Sequence, residues 1–223
     1  MTSIAHPSIT RTEISIGAGV TRLHGLLEVP ANAVGLVLFV HGSGSNRHSP
    51  RNQHVAEILH LRGLATLLFD LLTGPEQRQD AQSAHLRFDI PFLVQRLQRT
   101  KAWVMADPHI GGLPLGYFGA STGAAAALVG AAADPEHVRA VVSRGGRPDL
   151  AMSSLPSVTA PTLLIVGSDD TEVLAMNRHA FGQLGGRRRL EVVPGAGHLF
   201  EEPGTLETVA ELAGDWFAAH LSR

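Results

Sequence analysis

Ser121 lies at the centre of a Gly-x-Ser-x-Gly pattern that runs from Gly119 to Gly123. An apolar, strand-like run precedes the pattern, and an alanine-rich run that favours a helix follows it. Glycines at both ends remove Cβ atoms that would collide in a sharp strand-to-helix turn, so the serine hydroxyl can stand exposed at a sheet edge. The pattern therefore predicts a nucleophilic serine. The alternative is a glycine-rich turn in which the serine only caps a helix.

A serine hydroxyl is a weak nucleophile, so it needs a positioned base and a group that orients the base. His198 is the candidate base, because Gly195 and Gly197 give its loop the freedom to project the imidazole over the sheet edge. Asp170 is the candidate orienting acid, since it lies two or three residues beyond a buried strand. Asp169 is the alternative, although we expect it to be a solvated turn residue or a helix cap.

Such chemistry also needs two backbone N–H groups that stabilise the developing oxyanion. Thr122, directly after the serine, is predicted to supply one. Ser43, in the small-residue loop that starts at His41 and follows a buried strand, is predicted to supply the other. We expect His41 to brace this loop instead of transferring protons.

The same loop could belong to a dinucleotide-binding unit, because glycines at 42 and 44 follow a strand and Asp70 ends the next strand. However, Arg47 stands where that unit needs a third glycine for close helix packing. This interpretation would also leave Ser121, Asp170 and His198 without a role.

Several arginines fall close to the predicted site. Arg47 and Arg51 follow the small-residue loop, and Arg144 and Arg147 lie at the carboxyl end of another strand. Arg47 and Arg144 are the candidate substrate-binding residues, which suggests an anionic substrate because guanidinium groups match carboxylates well. The alternative is that the arginines form ion pairs with Asp70, Asp149 or Asp169.

The elements that must position these residues are predicted from hydrophobic patterning. Strands are expected at 12–16, 23–29, 35–40, 64–69, 113–118, 138–143, 162–167 and 189–193, and helices from about 50, at 90–106, after 121, at 171–184 and from about 205. Residues 70–89 are expected to form a polar loop. The alternation predicts an α/β fold, with a mostly parallel sheet of about eight strands and helices on both faces. We expect one domain over residues 1–223, with no lid domain.

Composition restricts the partners. Lys and Arg total 18 against 20 Asp and Glu, so no net positive field attracts nucleic acid or an anionic membrane. No apolar run approaches the roughly 20 residues that span a bilayer. The 223-residue chain has no cysteine, hence no thiolate nucleophile or thiolate metal site. We expect a cytoplasmic protein with no membrane partner and no metal; the oligomeric state does not follow from the sequence.

Together these motifs resemble the α/β-hydrolase superfamily, and within it the small lidless enzymes similar to dienelactone hydrolases. The resemblance covers nearly the whole chain and includes the order Ser121, Asp170, His198. Dienelactone hydrolases proper use a cysteine nucleophile, so their own activity does not carry over to a chain with Ser121. The resemblance implies a cofactor-free hydrolase of a small-molecule ester, lactone or thioester. The alternatives are an acyltransferase with the same triad and a non-catalytic small-molecule-binding protein.

Overall fold

The protein is built on one eight-stranded sheet. A computed structural model describes residues 8–19 and 21–222 of the chain. The strands are β1 (Ile9–Ala18), β2 (Thr21–Pro30), β3 (Gly35–Val40), β4 (Leu64–Phe69), β5 (Leu115–Ala120), β6 (Val138–Arg144), β7 (Thr162–Gly167) and β8 (Arg188–Val193). Their spatial order is β1-β2-β4-β3-β5-β6-β7-β8.

The sheet is antiparallel at one end and parallel elsewhere. Strands β1 and β2 form an antiparallel hairpin, and β2 pairs antiparallel with β4. All the remaining pairs are parallel. The carboxyl ends of β3 to β8 therefore share one edge, where open α/β sheets bind their ligands.

Helices cover both faces of this sheet. They are α1 (Pro50–Leu61), α2 (Gly74–Ser83), α3 (Ile90–Ala106), α4 (Thr122–Ala132), α5 (Thr171–Phe181) and α6 (Thr205–Leu221). Strand β3 shows the layering, because Leu36, Leu38 and Val40 pack with α3 and α4 while Val37 and Phe39 pack with α1 and α6. Both faces of β3 are thus buried, which explains why its sequence is wholly apolar. The predicted sheet with helices on both faces is confirmed.

Two stretches differ from the sequence prediction. The predicted polar loop at 70–89 contains α2, which begins with a capping box between Thr73 and Glu76. Its only buried residue among those described is Asp80, so it lacks the apolar stripe that identifies most helices. A 3-10 helix, Pro148–Ser157, lies between β6 and β7. No separate lid domain is evident in the described part of the chain.

Strand β5 begins two residues later than predicted and runs directly into the residue before Ser121. Pro114 lies just before the strand instead of inside it, because proline has no N–H to donate to a sheet ladder. None of the helices in residues 8–19 and 21–222 has both the length and the apolar character that crossing a bilayer requires.

Close packing between β5 and α6 generates a stability prediction. A Cβ atom on Gly116 would lie 2.7 Å from a ring carbon of Phe217. Gly116→Ala should lower the free energy of unfolding by about 1–3 kcal/mol, because the methyl group overpacks the core. The measurement is urea denaturation. Gly182→Ala is the matched control: Gly182 has helical backbone angles and its added methyl meets nothing closer than 3.6 Å, so its stability should not fall. Equal stability of both variants would contradict this packing.

A buried histidine lies on the α1 side of the sheet, away from the strand ends. His60 is 1% exposed, and its Nε2 lies 2.8 Å from Thr66 Oγ1. Burial, together with the positive charge of Arg11, lowers the pKa of His60 from its usual 6.5 to about 4. The folded state therefore keeps His60 neutral at pH values where the unfolded chain protonates it. This stabilisation is present above about pH 6.5 and is lost as the pH falls towards 4.

Replacing His60 should make folding stability less sensitive to acid. We expect the wild type to lose about 2 kcal/mol more than His60→Gln between roughly pH 7 and pH 5, because glutamine has no proton to take up. Urea denaturation at both pH values measures the difference. His85→Gln, a substitution at an exposed position, should retain the wild-type pH dependence. The same slope in the His60→Gln and wild-type proteins would show that His60 does not contribute.

Candidate active site

Five strands deliver the predicted site residues to one edge of the sheet. Ser43 follows β3, Ser121 follows β5, Arg144 ends β6, Asp170 follows β7 and His198 follows β8. Because these strands are parallel neighbours, residues far apart in sequence meet at their carboxyl ends.

Ser121 sits in a strained turn between β5 and α4. Its backbone angles are φ 50° and ψ −122°, a region that residues with side chains rarely adopt. The Ser121 amide donates to the Arg144 carbonyl at 3.2 Å, and its carbonyl accepts from the amides of Ala124 and Arg147, each at 3.1 Å. These bonds hold Ser121 in a backbone conformation that is otherwise unfavourable for a residue with a side chain.

The two glycines of the pattern are required by close backbone approach. A Cβ on Gly119 would lie 2.4 Å from Cα of Ala124, and one on Gly123 would lie 2.1 Å from the Val40 carbonyl oxygen. Real Cβ atoms do not reach such distances, so a side chain at either position would push α4 away from the sheet. The geometry is that of a nucleophile elbow.

His198 and Asp170 form a hydrogen-bonded pair. His198 Nδ1 lies 2.6 Å from Asp170 Oδ2. The carboxylate is 14% exposed, whereas the imidazole is 39% exposed. Gly145, with φ 49°, lies beside His198, and an added Cβ would meet the His198 carbonyl oxygen at 3.2 Å and the ring at an ordinary contact distance of 3.5 Å. Because the carboxylate accepts from Nδ1–H, the other ring nitrogen, Nε2, is left able to accept a proton.

The structure brings Asp170, and not Asp169, to the histidine. Asp169 instead accepts a hydrogen bond from the hydroxyl of Ser168 at 2.8 Å. That hydroxyl also accepts from the Gly195 amide at 2.7 Å, so it ties the β7 loop to the loop that carries His198. The two aspartates thus have separate places, one against the imidazole and one in the exposed turn.

Ser121 and His198 line the same two cavities at the sheet edge. The structure records no hydrogen bond between their side chains within the described residues. In enzymes without bound substrate, such contacts are often longer than in the reacting complex. The arrangement therefore places a hydroxyl and an oriented imidazole around a shared space.

The small-residue loop lies against the elbow. Ser43 Oγ and Thr122 Oγ1 are 3.1 Å apart, and a Cβ on Gly42 would lie 2.9 Å from the Ala120 carbonyl oxygen. The Ser43 amide donates no hydrogen bond to another described residue. The Thr122 amide belongs to the first turn of α4, where amides have no acceptor within the helix. Both N–H groups are thus available to a ligand.

His41 forms hydrogen bonds that connect this loop to the loop after β4. Its Nε2 accepts a hydrogen bond from the Leu71 amide at 3.0 Å, so Nδ1 carries the proton and donates to the Gly42 carbonyl at 2.9 Å. The side chain is buried, and burial lowers its pKa, so the ring is neutral. His41 therefore joins the loops after β3 and β4.

The predicted arginines have different environments. The Arg47 amide donates to Asp70 Oδ1 at 2.9 Å, and its guanidinium pairs with the other carboxylate oxygen. Arg147 makes two hydrogen bonds to Asp149, at 2.9 and 2.7 Å. The ion-pair alternative thus holds for both of these residues. Arg144 makes no ion pair with any described residue, although it is only 8% exposed.

Sequence reasoning missed two apolar residues that line the cavities. Phe88, in the short 3-10 helix Leu86–Phe88, is 50% exposed, and Leu199 is 42% exposed. No pattern pointed to Phe88, because it lies in a polar stretch. Leu199 could have been noted as an apolar residue directly after the candidate base. In the described ranges, no cluster of three or more His, Asp or Glu side chains could hold a metal ion.

Comparison with known proteins agrees with this architecture. The crystal structure of a dienelactone hydrolase from Anabaena variabilis superposes on this protein with a TM-score of 0.93, and the two sequences are 55% identical. The match covers 96% of this chain and 99% of that one. Est1E from Butyrivibrio proteoclasticus with bound ferulic acid has a TM-score of 0.82 but 15% identity, with 94% and 100% of the chains covered. The second likeness supports the fold alone. The predicted α/β-hydrolase fold is confirmed.

Two curated relatives are longer than this chain. Both come from Mycobacterium tuberculosis, are named putative phosphoribosyl transferase, and are 57% identical over 218 residues. The match covers 97% of this chain but 48% of each relative, so the chain spans about half the length of the curated relatives it matches. The family model for the dienelactone hydrolase family matches residues 23–221. With that match over most of its length, the chain belongs to the dienelactone hydrolase family.

Proposed function

We propose that this protein is a serine hydrolase that cleaves a carboxylic ester, lactone or thioester through an acyl-enzyme. The observation that carries the proposal is the strained backbone of Ser121, at φ 50°, on the same sheet edge as the His198–Asp170 pair. A turn that served only to cap α4 would not need this strain, and Ser121 makes no side-chain cap hydrogen bond. Family membership supports the same reaction class.

The first half of the reaction forms the acyl-enzyme. Ser121 Oγ attacks the substrate carbonyl carbon while His198 Nε2 takes the hydroxyl proton. The amides of Ser43 and Thr122 hold the negative oxygen of the tetrahedral intermediate. When the intermediate collapses, the bond to the alcohol or thiol breaks, and His198 returns the proton to that leaving group. Asp170 keeps the imidazole in one orientation and stabilises its positive charge.

The second half releases the acid. Water attacks the acyl-enzyme carbonyl, His198 takes a proton from this water, and the same two amides stabilise the new oxyanion. Collapse breaks the bond to Ser121 Oγ, which recovers its proton from His198. The cycle consumes only water, so it needs no cofactor.

A cavity beside the elbow can hold the apolar part of the substrate. It has a volume of about 220 Å³ and opens next to Ser43 and Thr122. Its apolar lining includes Leu71, Leu72, Ala81 and Leu93. Because the cavity borders the proposed oxyanion site, a group bound there would be attached directly to the reacting ester.

The longer relatives are named putative phosphoribosyl transferase, which is a different reaction class from ester hydrolysis. We propose that the named activity belongs to the half of those proteins that this chain does not match. The half that this chain does match is the half to which the elbow of this chain corresponds in position, and in this chain the elbow supports acyl chemistry. An acyltransferase would form the same acyl-enzyme but pass it to an alcohol or amine, so analysis of products with competing acceptors distinguishes it.

Covalent labelling tests the nucleophile. A fluorophosphonate probe should modify wild-type protein at Ser121 and should not modify Ser121→Ala, because only an activated hydroxyl attacks phosphorus. Ser121→Ala should also lower kcat for an ester by about 10⁶-fold. Intact-mass and peptide mass spectrometry locate the adduct. An unlabelled wild-type protein would favour the non-catalytic binding protein over the hydrolase.

The two adjacent aspartates provide a matched test of the orienting acid. Asp170→Asn should lower kcat by about 10⁴-fold, because an amide cannot stabilise the imidazolium and favours the wrong tautomer. Asp169→Asn should change kcat by less than about threefold, because the only partner of its carboxylate among the described residues is the Ser168 hydroxyl. Steady-state kinetics with one ester measures both variants. The reverse ranking would assign the acid role to Asp169.

A further inference from the structure

Strand β8 forms an open edge of the sheet. It is the last strand in the spatial order, and among the strands in residues 8–19 and 21–222 it pairs only with β7. Arg188, Arg189 and Val192 on this strand are exposed. A strand at an edge leaves half of its backbone N–H and C=O groups without a partner in the sheet, so it can pair with a further strand.

The hydrogen bonds to β7 show which backbone groups of β8 point outward. The carbonyl of Arg187, just before β8, accepts from an amide on the β7 side at 2.8 Å, and the carbonyl of Val193, at the end of β8, does the same at 2.9 Å. Backbone groups alternate in direction along a strand. The N–H and C=O groups of Arg188, Leu190 and Val192 therefore face away from the sheet.

The charges on β8 are complementary to those of a second, antiparallel β8. Arg189 and Glu191 lie on the same face of the strand and form an ion pair with each other. If Leu190 lies opposite the partner's Leu190, then Arg189 of each chain lies opposite the partner's Glu191. Four charges then alternate in sign around a square. Both cross-strand pairs occupy non-hydrogen-bonded positions, where facing side chains are closest.

Other registers of the same two strands are unfavourable. A shift by two residues in one direction sets Arg189 against the partner's Arg189, and a shift in the other direction sets Glu191 against the partner's Glu191. Like charges directly opposite each other are destabilising. A shift by one residue would oppose outward and inward backbone groups. The arginines at 187–189 are also the kind of charged run that protects an edge from non-specific pairing.

We propose that β8 is a homodimer interface, in which two copies of this chain pair antiparallel with Leu190 at the two-fold axis. The outward backbone groups of Leu190 bond to those of the partner's Leu190, and the groups of Arg188 bond to those of the partner's Val192. The two eight-stranded sheets thereby become one continuous sheet. Each copy uses the same surface, so the contact is closed and association through it stops at two chains.

The interface is compatible with the candidate active site. No residue of β8, which the structure describes in full, lines the three cavities at the carboxyl edge of the sheet. Pairing therefore leaves these cavities open. The loop that carries His198 begins directly after β8. In the dimer this supporting strand is hydrogen-bonded on both sides instead of one. The interface does not depend on which reaction the site performs.

Charge reversal tests the register. Arg189→Glu and Glu191→Arg each place like charges opposite one another, so each should raise the dissociation constant of the dimer by about 10- to 100-fold. Sedimentation velocity over a concentration series measures the change. An equimolar mixture of the two variants should form a heterodimer, and the double variant a homodimer, because both arrangements bring opposite charges together again. Arg99→Glu, at an exposed position of α3, makes the same charge change as Arg189→Glu and should leave the dimer intact.

Cysteine cross-linking tests the position of the two-fold axis. The chain has no cysteine, so Leu190→Cys introduces a single thiol per chain. Opposed residues of a hydrogen-bonded pair have Cα atoms about 5.5 Å apart, which is within the range of a disulfide. Oxidised Leu190→Cys should therefore run as a covalent dimer in non-reducing electrophoresis. Val192→Cys is the matched control, because in this register the two substituted positions lie roughly 14 Å apart and should not cross-link.

Hydrogen exchange on the wild type needs no substitution. The amides of Leu190 and Val192 should exchange more slowly as the protein concentration rises, because the partner strand accepts their protons. A wild type that stays monomeric up to about 100 µM overturns the proposal. So does a dimer that tolerates both charge reversals, since its interface would lie elsewhere. Folded single variants that do not associate when mixed, or equal cross-linking by Leu190→Cys and Val192→Cys, would contradict this register.

Discussion

The left-handed backbone of Ser121 is the constraint on which the site depends. A serine at φ 50° is unfavourable by itself, so neighbouring elements must hold it. Strand β6 contributes through the Arg144 carbonyl, and the start of the β6–β7 connection contributes through the Arg147 amide. Gly123 must lack a side chain because β3 passes directly beneath it. The position of one hydroxyl is therefore determined by three adjacent parallel strands.

The buried sheet and the exposed sheet edge were predictable to different degrees. Strands β3, β4 and β7 matched their predicted bounds, because burial on both faces produces a short, mostly apolar run. Helix α2 was missed because it has little buried surface and hence no apolar period. Its Thr73–Glu76 capping box was a usable signal, but one that a polar loop can also contain by chance.

The carboxylate that each arginine contacts at the sheet edge could be determined only from the three-dimensional structure. The sequence placed four arginines near the site but could not say which of them would meet a carboxylate. Asp70 reaches Arg47 because β4 lies beside β3, and Asp149 reaches Arg147 through the turn that starts the 3-10 helix. The first pair depends on the neighbouring strand, whereas the second joins residues only two positions apart in the chain. Asp170 was favoured over Asp169 on position alone, and the structure places Asp170 against His198; its catalytic role stays a prediction.

Arg144 contacts both the elbow and the cavity beside it. Its carbonyl holds the Ser121 amide, while its side chain lines the cavity that Ser121 also lines. A residue in this position could have an apolar side chain without loss of the backbone hydrogen bond, since the strand alone fixes the carbonyl. An arginine there adds a desolvation cost that folding does not require. Folding stability is therefore not maximal at this end of β6, as is common where a protein has evolved under constraints other than stability.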